Sequence, residues 1–185
     1  MMLGRRPAKK REPLDEAGLY EYAVKALGRQ MRTEVELRRL MSARAEQGER
    51  GQAAVKAVVA RLKDHGYLND ASYAETFVRL RQENEKLGAR RVRQKLAERG
   101  VPARVAQAAI EARYGGANEE ALAREHLVRK RIAKPTNEKE TARVVRRLVA
   151  AGFSPGTIYK VLRQWDVPEE ELAALDQMES ETHGE

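Results

Sequence analysis

Two short stretches of this 185-residue chain place cations at four-residue intervals: Arg91, Lys95 and Arg99, then Lys139, Arg143 and Arg147. On an α-helix that spacing lines one face over roughly 12 Å, at about 1.5 Å of rise per residue. Arg90 and Arg93 stand beside the first row and Arg146 beside the second. Acidic residues able to neutralise either row at i±4 are few, whereas a solvated face normally mixes both signs. Rows of this kind suit phosphates or an acidic groove on a protein.

Other chemistry has little to work with. His65, His126 and His183 are the only histidines, and none stands at metal-ligand spacing from another ligand. His65 precedes Gly66, as at a helix C-terminus, and is read as a cap. His126 lies in a basic stretch and is expected to face solvent or phosphate. The chain has no cysteine, so thiolate metal sites and disulfides are out of reach. There is no Walker loop, dinucleotide fingerprint or nucleophile elbow. Glu83, Glu85 and Glu98 sit among cations and read as salt-bridged surface positions. No catalytic residue, cofactor site or metal site is expected, and the chain reads as a binding protein.

The elements that position the two rows recur. Aligning Gly100 with Gly152 places Val92 on Val144, Lys95 on Arg147, Leu96 on Leu148, Val101 on Phe153 and Ile110 on Leu162. A looser first copy sets Arg39-Leu40 on Lys95-Leu96 and Val59 on Ile110, with about five extra residues around Glu46 to Arg50. A period a little over fifty residues indicates tandem supersecondary units sharing a core between neighbours. What recurs is a helix ending, a glycine, an apolar residue and a second helix, with a basic residue just before the core leucine.

Periodicity is helical almost throughout. Asp15 reads as an N-cap before Tyr20, Ala23, Val24 and Leu27, and Thr33 with Glu36 as a capping box before Val35, Leu37 and Leu40. A third helix carries Val55, Val58, Val59 and Leu62. Asn69-Asp70 caps a fourth with Tyr73, Ala74, Phe77 and Leu80 on one side. The fifth spans about 89–99, and the sixth has Pro102 in its first turn and ends before Gly115-Gly116. Asn118 caps the seventh, with Leu122 and Leu127 inward. The eighth covers about 137–151, and Ser154-Pro155 starts the ninth. Tyr67, Tyr73, Phe77, Phe153 and Trp165 are assigned to the core.

The fold expected is all-α: nine helices in an elongated, curved tandem array of three three-helix repeats. Its parts are a basic, flexible extension at 1–13, repeats at 14–66, 67–116 and 117–166, and an acidic tail at 167–185. Aromatics make up only 5% of residues and charged residues 35%, which favours several small cores over one large core. No apolar run approaches a membrane span and no secretion signal follows the start, so a cytoplasmic location is expected.

Net charge is +8 and unevenly spread. From Asp166 onwards there are eight acidic residues and no Lys or Arg, which leaves +16 on residues 1–165. A basic body with an acidic tail implies a polyanionic partner. Contact with DNA would be mainly electrostatic, since few exposed aromatics are available for base stacking. The third helices of each unit carry little beyond Lys56, Arg61, Arg104, Lys160 and Arg163. They lack the Asn, Gln and Arg cluster that reads base edges in helix-turn-helix proteins.

The run Gly66-Tyr67-Leu68-Asn69-Asp70-Ala71-Ser72-Tyr73-Ala74 resembles the central signature of the RecX family, regulators of the RecA recombinase. Thr33 to Leu40, Gly88 with Val92 and Leu96, Gly100-Val101, and Ala151-Gly152-Phe153 with Ile158 extend the likeness over about 15–165. The 46–50 insertion and the two charged extensions depart from it. The resemblance implies an all-helical repeat array with no enzymatic activity. It implies binding to RecA and its filament on single-stranded DNA, with inhibition of ATPase, strand-exchange and coprotease activities. The surface assigned to filament and DNA phosphates, single- or double-stranded, is Arg39, Arg90, Arg91, Arg93, Lys95, Lys139, Arg143, Arg146 and Arg147, on a monomer. The other reading is a non-specific or transcription-regulating DNA-binding protein built from tandem three-helix units.

Overall fold

The computed structural model describes residues 12–168. Its helices are α1 (Glu16–Leu27), α2 (Glu34–Ser42), α3 (Glu49–Asp64), α4 (Asp70–Glu85), α5 (Ala89–Glu98), α6 (Ala103–Tyr114), α7 (Glu119–Arg129), α8 (Glu138–Ala151) and α9 (Pro155–Arg163). The described residues thus form nine helices and no strand; a single isolated bridge joins Leu14 to Ala45. The basic residues of 1–11, His183 and the acidic residues after 168 lie outside the described part.

Local chemistry fixes most of the boundaries. Asp15 accepts from the Gly18 amide at 2.8 Å, Asn118 from Ala121 at 2.9 Å and Asn137 from Glu140 at 3.0 Å. Ser154 does the same for Thr157, and Asn69 accepts from both Ala71 and Ser72. Each satisfies an amide that the first helical turn leaves without an intrahelical partner. Pro102 stands one residue earlier than the sequence suggests, as the N-cap of α6 with φ −55° and ψ 136°.

The chain divides into two compact units. The first comprises residues up to Tyr73 with Arg99–Val101. Its helices α1, α2 and α3 pack on one another around Leu19, Ala23, Leu37, Met41, Val55, Val58, Val59, Leu62 and Leu68. Thr33 is fully buried and completes the capping box: its Oγ1 accepts from the Glu36 amide at 3.1 Å, and Glu36 reaches back to the Thr33 amide. The same hydroxyl donates to the Arg99 carbonyl at 2.7 Å, while the Arg99 guanidinium bonds Glu36 at 2.9 Å. Gly100, at φ 74°, lies against Val35 so closely that a Cβ would approach Val35 Cβ to 2.6 Å.

The second unit comprises Ala74–Glu98 and the chain from Pro102 onwards. Here α6 packs on α5, α9 packs on α7 and α8, and α5 meets α8. Tyr114 donates its hydroxyl to the Leu87 carbonyl at 2.7 Å, and Arg113 on α6 joins Gln82 and Glu83 on α4.

The recurrence is visible in the folded chain. Gly100 and Gly152 both have positive φ, Val101 and Phe153 are both buried, and so are the pairs Val92/Val144, Leu96/Leu148 and Ile110/Leu162. Burial corrects the first copy by one residue. Leu37 and Met41 are the fully buried pair on α2, at the spacing of Val92 and Leu96, while Leu40 is only half-buried. Met41, not Leu40, is therefore the counterpart of Leu96, and Arg39 is not in register with Lys95.

Several core assignments also change. Tyr73, Phe77 and Phe153 are buried, but Tyr67 is 56% exposed and Trp165 half-buried. On α4 the inward position next to Phe77 belongs to Val78, and Leu80 turns to solvent. His126 is buried rather than solvent-facing: its ring meets Phe153 edge-on, with centroids 5.8 Å apart, and Nδ1 lies 3.2 Å from the Glu85 carbonyl oxygen. A basic neighbourhood in sequence misled here, because Lys130 and Arg129 point outward while the imidazole fills the core side of α7.

Candidate functional site

The second row of cations lies on α8. Val144, Leu148 and Ala151 bury one face of this helix, and Lys139, Arg143, Arg146 and Arg147 are exposed. Asn137 caps the N-terminus, and Glu138 and Glu140 occupy the first turn, where acidic groups complement the helix dipole. The Thr136 amide and hydroxyl both donate to Glu140, at 2.9 and 3.0 Å, and hold its carboxyl below the usual range. Among the described residues no carboxylate lies within ion-pair distance of Lys139, Arg143, Arg146 or Arg147. Like charges four apart destabilise a helix by about 0.2–0.5 kcal/mol per pair. A bound polyanion would relieve that repulsion.

The first row is shorter than its spacing suggests. α5 ends at Glu98, so Arg99 lies beyond it and is spent on Glu36 within the first unit. Arg91 and Lys95 are half-buried, and Arg90 and Arg93 are exposed. Arg91 donates to Gln94 at 2.7 Å and Arg93 to Gln107 at 3.1 Å. Both partners are neutral amides, so the arginines are oriented without losing charge. On α2, Arg39 is exposed but its neighbour Arg38 pairs with Glu34 at 2.8 Å. Glu34 also bonds Lys63, which holds its carboxyl low, and its amide donates to Asp70. The α2 surface is therefore largely self-neutralised.

The nine sequence-assigned cations thus fall into three sets: four on α8 without ion-pair partners among the described residues, four on α5 of which two are half-buried, and the exposed Arg39 on α2. Within the second unit α5 and α8 meet where Gly88, Gly152 and the Arg91 backbone pack together. Other charges are absorbed locally. Glu83 pairs with Arg79 and Arg113, and Lys160 with Glu120. Glu98, expected to be salt-bridged, has no ion pair among the described residues. No cluster among them could hold a metal ion, and no helix among them is long and apolar enough to cross a membrane.

Comparison with known proteins agrees with this architecture. Residues 69–110 match the RecX second three-helix domain. A crystal structure of regulatory protein RecX superposes with a TM-score of 0.66 at 20% identity, covering 80% of this chain and 71% of that one. RecX from Lactobacillus salivarius superposes with a TM-score of 0.60 at 21% identity, covering 82% of this chain and 97% of that one. Among curated proteins none matches. The segment from α4 into α6 thus resembles the RecX second three-helix domain, and the all-helical fold around it is the one seen in these solved RecX structures.

Proposed function

We propose that this chain is a non-enzymatic regulator of the RecA recombinase, acting in the cytoplasm on homologous recombination and the DNA-damage response. It binds RecA and its filament on single-stranded DNA as a monomer of three three-helix repeats, at 14–66, 67–116 and 117–166. It inhibits the filament's ATPase, strand-exchange and coprotease activities. The match of residues 69–110 to the RecX second three-helix domain carries this reading. The binding surface is the basic faces: Lys139, Arg143, Arg146 and Arg147 on α8, Arg90, Arg91, Arg93 and Lys95 on α5, and Arg39 on α2. The α8 group contributes most, because no carboxylate among the described residues lies within ion-pair distance of its charges.

The test is the single-strand-dependent ATPase of a RecA recombinase, titrated with substoichiometric protein. A parallel series uses the double variant Arg143→Glu, Arg147→Glu. Both side chains are exposed, so the variant keeps the core intact. Strong inhibition by the wild type and weak inhibition by the variant is the expected result. Equal inhibition by both would remove the α8 face from the surface. No inhibition, alongside tight and salt-sensitive DNA binding, would replace the regulator with a general nucleic-acid-binding protein.

A further inference from the structure

Tyr67 departs from a pattern that four other positive-φ turns among the described residues share. Lys86, Gly100, Gly152 and Asp166 all have positive φ, and each is followed by a buried apolar residue: Leu87, Val101, Phe153 and Val167. Such a turn ends a helix and folds the next apolar side chain back onto it. Gly66, at φ 72°, makes the same turn after α3, with the Tyr67 amide donating to the Leu62 carbonyl at 2.9 Å. Yet Tyr67 is 56% exposed, and the following Leu68 enters the core in its place. The ring is therefore held outward by a fixed turn.

It is not isolated. His65 contacts Tyr67 edge-on, with centroids 6.3 Å apart, and Tyr20 on its other side, at 6.1 Å. The Tyr20 hydroxyl and His65 Nδ1 are hydrogen-bonded at 2.8 Å, which fixes the middle ring. The Arg61 guanidinium lies 4.2 Å from the Tyr20 ring centroid. The exposed Tyr67, His65 and Arg61 and the half-buried Tyr20 thus form a continuous aromatic and cationic patch on the first unit. The other charges of this helix end are Lys63, paired with Glu34, and the exposed Asp64.

We infer that Tyr67, backed by His65, Tyr20 and Arg61, is a stacking site for an unpaired base of a single-stranded nucleic acid. Stacking on an aromatic side chain is tolerant of sequence and is commonly combined with arginine, because every base has a π-face. Double-stranded nucleic acid offers no such face, since its bases are stacked on one another. The chain's net charge of +8 supplies the long-range attraction for a polyanion. This site stands independently of the recombinase reading, since it concerns direct contact with bases.

The experiment compares the full chain's affinity for an oligothymidylate with that for an abasic oligomer of equal length, at one fixed low salt concentration. Tyr67→Ala is expected to weaken oligothymidylate binding at least fivefold, the low end of base–aromatic stacking, and to leave abasic binding unchanged. Tyr67→Phe keeps the ring and is expected to bind like the wild type. The inference is overturned if Tyr67→Ala changes neither affinity, or lowers both equally. It is also overturned if Tyr67→Ala relieves inhibition of a recombinase while oligothymidylate binding stays intact, which would assign the ring to a protein contact.

Discussion

Gly88 and Gly152 are in direct backbone contact within the second unit: the Gly88 amide donates to the Ala151 carbonyl at 2.9 Å, and a Cβ on Gly88 would overlap the Gly152 carbonyl. The contact is reciprocal in kind. A Cβ on Gly152 would overlap the Arg91 backbone, and Gly152 sits at φ 90°, where other residues are strained. The start of α5 and the end of α8 can approach this closely only because neither glycine carries a side chain. Gly88→Ala and Gly152→Ala are expected to destabilise the protein by about 2 kcal/mol or more. Gly156 is the contrast: it lies in α9 with open space around it. Gly156→Ala should be neutral or stabilise by up to about 1 kcal/mol. Urea unfolding midpoints of the three variants check both signs.

Thr33 joins α2 to the segment at Arg99 through one hydroxyl that both accepts and donates. Removing it leaves the Glu36 amide and the Arg99 carbonyl without this partner at a fully buried position. Thr33→Ala is expected to cost about 1–3 kcal/mol, as lost caps and unsatisfied buried groups do. Thr33→Ser, which keeps the hydroxyl, should recover most of that loss in the same unfolding measurement.

His126 gives the second unit a pH dependence. Burial, with Lys130 and Arg129 nearby, pushes its imidazole below the ordinary histidine value. The Glu85 carbonyl can only accept, so Nδ1 carries the proton of the neutral ring and donates to it. The folded state therefore resists a proton that the unfolded chain binds near pH 6.5. The stabilisation is complete above that value and is lost as pH falls below it towards the folded pKa. The unfolding midpoint of the wild type should drop between neutral pH and about pH 5, and His126→Asn, which keeps a donor near Nδ1, should drop less. An identical pH profile for both would assign the dependence to other groups.

Much of this was legible in the sequence, and the exceptions share a cause. Caps at Asp15, Thr33, Asn118, Asn137 and Ser154 are local events, set by side chains within three residues, and local patterns specify them. The core of α3 followed from its spacing for the same reason. Tyr67, His126 and Arg99 differ from expectation because tertiary packing decides their environments: Leu68 takes the core position beside Tyr67, while residues far along the chain act on the other two, Phe153 and Glu85 enclosing His126 and Glu36 capturing Arg99. A signal for Tyr67 does exist in the sequence. Leu68 directly follows it, and a turn with two successive large apolar residues can bury only one of them.

The α8 cations make the most direct prediction about binding, because they are exposed and form no ion pair among the described residues. Each phosphate neutralised releases counterions, and for a single strand the slope of log affinity against log salt is about −0.7 per contact. Replacing Arg143 and Arg147 with alanine removes two such contacts if both meet phosphates, so the slope should become shallower by about 1.4. Replacing Arg38, whose charge is already taken by Glu34, should leave the slope unchanged although it removes the same formal charge. Fluorescence anisotropy across a salt series resolves the difference. Equal slopes for the wild type and the α8 double variant would mean that net charge, rather than this helix face, carries the attraction.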